Sequence, residues 1–136
     1  MDKTIRRLVK RFDTNDPFRI ARGLNIHIRY ADLDTSTRGL YYRALRRRFI
    51  VLNSNTTVFW QRFICAHELG HDRLHPGISR FWLDEHSFFS AGKLERQANQ
   101  FAVRLLTALD KQGHGESVEQ LLRRNGVPIE MAQYYR

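Results

Sequence analysis

The stretch RFICAHELGHDRLH, residues Arg62 to His75, has the apolar spacing of a buried helix but carries residues that do not suit one. Phe63, Ile64 and Leu74 belong in a core, yet His67, Glu68, His71 and His75 stand among them. On a helical wheel of about 100° per residue, His71 falls about 40° from His67, and Trp60, Ile64 and Leu74 lie within about 60° of it. The two histidines therefore point the same way, one turn apart, as two ligands of one metal ion must. Glu68 lies about 100° round, at the border of the stripe, where it can reach a metal's water without being a ligand. Cys65, about 160° round, is turned away from that face. Gly70 adds no bulk between the histidines, so a substrate strand could approach there.

A His-Glu-x-x-His helix can do the chemistry of a zinc peptidase. Neutral imidazoles hold the zinc and leave a coordination position for water. Zinc lowers that water's pKa to around neutral and polarises the scissile carbonyl. The glutamate takes the water's proton and can pass it to the leaving amine. Two histidines are not a complete site, so a third ligand is needed.

Residues 93–109, KLERQANQFAVRLLTAL, form a second strong helix that supplies one. Around Glu95, the residues Ala98, Asn99, Ala102 and Leu106 all fall within about 60°. An acidic group on a buried stripe is costly unless it is paired or bound to a metal. Asn99, one turn on, is placed to hydrogen-bond a zinc-bound imidazole from behind. The small Ala98 and Ala102 let the two helices pack closely. His75 competes as third ligand, but three ligands on one straight helix span about 12 Å of rise, which suits a supporting role better. His86 and His114 fall in loop-like stretches and read as surface residues before they read as oxyanion stabilisers. His27 falls on the polar side of an alternating strand.

Working outward, residues 3–11 have helical spacing, and a short helix follows with Asp16 as cap, Pro17 at its first position and Gly23 closing it. NIHIRY, residues 25–30, alternates as a strand. LYYRALRRRFIVLN gives two further strands around Arg46, and Thr56 or Thr57 caps the histidine helix. Residues 76–92 have no clean period and read as a long loop, a length that is often functional. SVEQLLRRNGVPIEMAQYYR gives a helix, a Gly-Val-Pro turn and a last helix. The order predicts an α+β fold: a small sheet beside the active-site helix, with further helices at both ends.

The 136 residues suit one domain, residues 1–136. The net charge of +9 is the balance of 23 Lys and Arg against 14 Asp and Glu, the basic residues being spread along the chain with the densest run at Arg46–Arg48. That spread reads as general solubilising charge more than as a nucleic-acid face, although a basic surface could attract an acidic protein or hold the chain near DNA. Cys65 is the sole cysteine and cannot make an internal disulfide. There is no secretory leader and no apolar run near the roughly 20 residues that span a bilayer, so a cytoplasmic protein is expected.

RFICAHELGHDRLH followed after a gap by LERQANQFAVRLL resembles the ImmA/IrrE family of zinc peptidases. DPFRIARGLNIHI, RRFIVLNSN and VEQLLRRNGVPIEMAQYYR are similar to that family as well, so the resemblance covers most of the chain. It implies His67, His71 and Glu95 as zinc ligands, Glu68 as catalytic base and a zincin-like core. It also implies a protein substrate, a helix-turn-helix repressor of a phage or mobile element. One departure is RLLTALDKQG, which lacks the Met-Pro that often ends the glutamate helix and leaves the nearby groove's shape open. Two other readings stand beside this one. One is a catalytically silent protein of the same fold that regulates a repressor by binding. The other is direct DNA binding through the arginines.

Overall fold

The structure is a computed structural model and describes residues 1–76, 82–83 and 92–135. Helix α1 (Asp2–Phe12) buries Ile5 and Leu8 and ends at Asp13 in left-handed backbone. Asp16 starts α2 (Pro17–Gly23), its carboxylate accepting the Phe18 N–H at 2.9 Å. The helix ends at Gly23, as expected, and the left-handed residue comes two places later at Asn25, with φ 63°. Gly23 lacks a side chain for a different reason, since a Cβ there would run into the Phe12 ring of α1.

Three strands follow: β1 (Ile26–Ala31), β2 (Gly39–Ala44) and β3 (Arg47–Asn53). Among the described residues the sheet has the order β1-β3-β2-β4, with β1 parallel to β3, and β2 antiparallel to both β3 and β4. The β2–β3 hairpin turns at Leu45 and Arg46, both at positive φ, close to where the sequence placed it. Strand β4 is Trp82–Leu83, paired with Tyr41 and Leu40. For those two residues the expected loop is corrected, because the open edge of β2 offers backbone partners to an apolar pair. The rest of that stretch from residue 77 to 91, His86 included, lies outside the described residues.

Helix α3 (Val58–Leu74) starts at Thr57, whose hydroxyl accepts the Trp60 N–H at 3.3 Å. Its residues from Phe63 to Asp72 are all buried. A helix buried on one stripe was the expectation, and it was too narrow. Strands β2 and β3, helix α2 and helix α4 (Lys93–Leu106) all pack against α3 and together surround it. Gly70 also takes a different part from the one expected. A Cβ there would lie 3.0 Å from the Phe101 ring, so the glycine lets α3 and α4 close up. The core around this pair includes Ile20, Ile50, Leu52, Leu69, Leu105 and Met131.

Helix α5 (Val118–Arg124) opens with a capping box between Ser117 and Gln120, and the expected last helix is a 3-10 helix over Ile129–Tyr134. Between them Gly126 sits at φ 68°, a conformation that favours glycine, and Arg62 of α3 donates to the Asn125 carbonyl at 2.9 Å. The arrangement is α+β, with the sheet beside the histidine helix, as the sequence predicts. Among the described residues no helix is long and apolar enough to cross a membrane.

Candidate metal centre

Because α3 and α4 lie side by side, residues 24 or more apart in sequence meet between them. His67 and His71 of α3 and Glu95 of α4 bring one donor atom each to within 4.8 Å of one another. Glu95 Oε1 stands 2.5 Å from His71 Nε2 and 3.4 Å from His67 Nε2. Both histidines are wholly buried, and Glu95 is 8% exposed. These three residues, the ones the sequence singled out, could hold a metal ion. Two imidazole nitrogens and one carboxylate oxygen are a donor set suited to a divalent transition metal.

The ring orientations follow from what stands behind them. His67 Nδ1 lies 2.7 Å from Asn99 Oδ1. A side-chain carbonyl only accepts, so Nδ1 carries the proton and Nε2 turns its lone pair toward the centre. Behind His71 stands His75, with the two Nδ1 atoms 3.0 Å apart. His75 Nε2 is 2.8 Å from Gln97 Oε1. His75 thus faces the back of His71 and is not part of the metal-competent cluster. Burial, ahead of every other influence, holds its pKa below the ordinary histidine value.

Glu68 is fully buried beside this group. A Cβ on Gly39 would lie 3.4 Å from Glu68 Oε2 and 2.5 Å from Ile64 Cγ2. The carboxylate therefore lies against the first residue of β2, on the sheet side of α3, while the histidines face α4. The wheel angle between His67 and Glu68 anticipated that separation, but nothing in the sequence named Gly39. Its signal was a glycine that begins a strand where a turn glycine would be the ordinary reading. Gln97 was missed as well, because it sits off the buried stripe of α4.

One turn beyond Glu68, Asp72 forms a second buried cluster. Its carboxylate accepts from the Tyr41 hydroxyl at 2.6 Å, from Arg48 at 3.1 Å and from Arg73 at 2.7 Å. Arg48 also donates to the Leu24 carbonyl. Burial pushes the Asp72 pKa up, but hydrogen bonds from Tyr41 and Arg73 and the charges of Arg73 and Arg48 outweigh it, leaving the pKa lowered. Burial and the bond to Asp72 push Tyr41 up to about 12. Part of the basic run at Arg46–Arg48 is thus engaged inside the fold. Cys65 is buried away from the site, and burial raises its pKa. His27 stacks on Phe49 at 5.2 Å and His114 is exposed.

The model of the M78 peptidase family, described as the IrrE N-terminal-like domain, matches residues 21–134. The chain belongs to this ImmA/IrrE family. The match contains α3 and α4 whole, and so every residue of the centre. The uncharacterized immunity region protein 2 of Bacillus phage phi105 is 35% identical over 132 residues, 94% of this chain and 84% of that one. The metallopeptidase ImmA of Bacillus subtilis (strain 168) is 29% identical over 102 residues, 75% of this chain and 60% of that protein.

Proposed function

We propose that this M78 chain is a zinc-dependent endopeptidase of narrow specificity that cuts a helix-turn-helix repressor of a phage or mobile element. The observation that carries the reading is the convergence of His67, His71 and Glu95 on one point between two helices. Ligands of a tetrahedral zinc, each about 2.0–2.1 Å from the ion, stand about 3.3 Å apart; His67 and Glu95 are near that at 3.4 Å, whereas His71 and Glu95, in hydrogen-bond contact at 2.5 Å, would part to admit the ion. His67, His71 and Glu95 would hold the ion. Bound there, zinc supplies a Lewis acid for the scissile carbonyl and a water activated near neutral pH.

The remaining work falls to the chain's own side chains. Glu68 takes the proton of the attacking water on a carboxylate oxygen and hands it to the leaving amine nitrogen. Its carboxylate lies against Gly39, and it is not among the three residues whose donor atoms cluster. Asn99 holds His67 in one tautomer. The protein substrate is suggested by the phage immunity region that gives one relative its name. Such a substrate also places the activity in the cytoplasm, where repressors act.

The test is co-expression with a helix-turn-helix regulator encoded beside this chain. Wild-type protein should yield a cut fragment, and Glu68→Gln should yield none while keeping its metal. Relief of repression by both proteins with the regulator intact would overturn cleavage in favour of regulation by binding.

A further inference from the structure

Both imidazoles of the centre are backed from α4, but in different ways. His67 meets the amide carbonyl of Asn99 directly, at 2.7 Å. His71 lies one turn further along α3 and reaches a carbonyl of α4 through another imidazole. From His71 Nδ1 the path runs 3.0 Å to His75 Nδ1, then 2.8 Å from His75 Nε2 to Gln97 Oε1. We infer that Gln97 and His75 form a hydrogen-bonded relay that selects which nitrogen of His71 is available to the metal.

Counting protons gives the relay its direction. A neutral imidazole carries one N–H. If His71 binds through Nε2, the nitrogen nearest Glu95, its proton is on Nδ1 and donates to His75 Nδ1. His75 Nδ1 must then accept, so the His75 proton is on Nε2 and donates to Gln97 Oε1. The chain ends on a carbonyl oxygen, which has no proton to give. Read in reverse, Gln97 sets the tautomer of His75, and His75 sets that of His71. Were His75 to hold its proton on Nδ1, two N–H groups would point at each other across the 3.0 Å gap. The only relief would be for His71 to move its own proton onto the ligating nitrogen. Gln97 and His75 are thus positioning residues: neither touches the metal, and both decide how well His71 can.

The inference rests on the metal-site reading, and the experiment separates the two. Zinc affinity is measured by competition with a chromogenic chelator for wild type, Gln97→Leu and Gln97→Glu. Tautomers of the zinc-loaded proteins are read from 15N shifts of labelled histidine. Gln97 is only half-buried, so both variants should fold. Wild type should show His71 protonated on Nδ1 and His75 on Nε2. Gln97→Leu, which lacks an acceptor, should bind zinc about tenfold more weakly, as is usual when a group behind a ligand is lost. Gln97→Glu keeps an acceptor oxygen and should restore both the affinity and the tautomers, which a merely structural role would not require. Unchanged affinity in Gln97→Leu, equal losses in both variants, or a His75 protonated on Nδ1 in wild type would overturn the relay alone. A wild-type chain that takes up no zinc would overturn the metal reading and the relay with it.

Discussion

Helix α3 carries two buried polar clusters, with His71 of one next in sequence to Asp72 of the other, and they are built in different ways. At Asp72 the carboxylate is surrounded by cations and a phenol of the chain itself: Arg48, Arg73 and Tyr41. At His67, His71 and Glu95 the partners of the carboxylate are imidazoles whose donor atoms crowd to within 4.8 Å. Burying charge costs several kcal/mol per ion unless something compensates. The first cluster compensates with guanidinium groups and so closes its charge inside the protein. The second gathers two imidazole nitrogens and a carboxylate oxygen, a donor set that a metal cation completes. Asp72 is therefore read as holding the fold, and the other cluster as holding a ligand.

The largest effect that could break this contrast comes from Asp72→Ala. Removing the carboxylate leaves Arg48 beside a buried carbonyl and phenol, and about 3 kcal/mol of stability should be lost in urea unfolding. Zinc affinity of the protein that remains folded should not change. A parallel loss of zinc affinity would make the two clusters one unit.

Gly39→Ala should come next. Its Cβ would lie 2.5 Å from Ile64 Cγ2 and 3.0 Å from the Val51 carbonyl oxygen, so strand β2 or α3 must shift, at about 1–3 kcal/mol. Glu68 Oε2 is among the three atoms nearest that Cβ and no atom of His67, His71 or Glu95 is, so cleavage should fall while bound zinc stays. Loss of zinc with cleavage intact would contradict the placement of Glu68.

The smallest effect is a pH dependence. The folded pKa of Asp72 lies below its ordinary 3.8, so its contribution is complete above that value and is lost as pH falls through the folded pKa. The gap in Tm between wild type and Asp72→Asn should therefore hold from neutral pH to about 4 and shrink below it. A gap that does not change down to pH 3 would contradict the charged role of Asp72.

The sequence was most legible where one helix reports on itself. The His67–His71 spacing, the Glu95–Asn99 spacing and the caps at Asp16 and Thr57 are local patterns, and the structure shows each of them on its helix. It was least legible where distant residues meet. Asp72 reads as an ordinary polar residue near a helix end until Tyr41 and Arg48 are brought to it from the sheet. Gly39 and Gln97 gain meaning only from α3 lying against each of them. Gly70 was read as making room for a substrate strand, but the neighbour it makes room for is Phe101. A wheel that divides a helix into a wet side and a dry side could not foresee that α3 is dry all round from Phe63 to Asp72.

The central claim is that His67, His71 and Glu95 bind the metal and Glu68 acts on the water beside it. Metal content by native mass spectrometry, after loading with zinc and desalting, tests that division directly on wild type, His71→Ala and Glu68→Gln. Expected is one zinc per chain in wild type and in Glu68→Gln, and none retained in His71→Ala. A wild-type chain without zinc, or a His71→Ala chain that keeps it, would contradict the site.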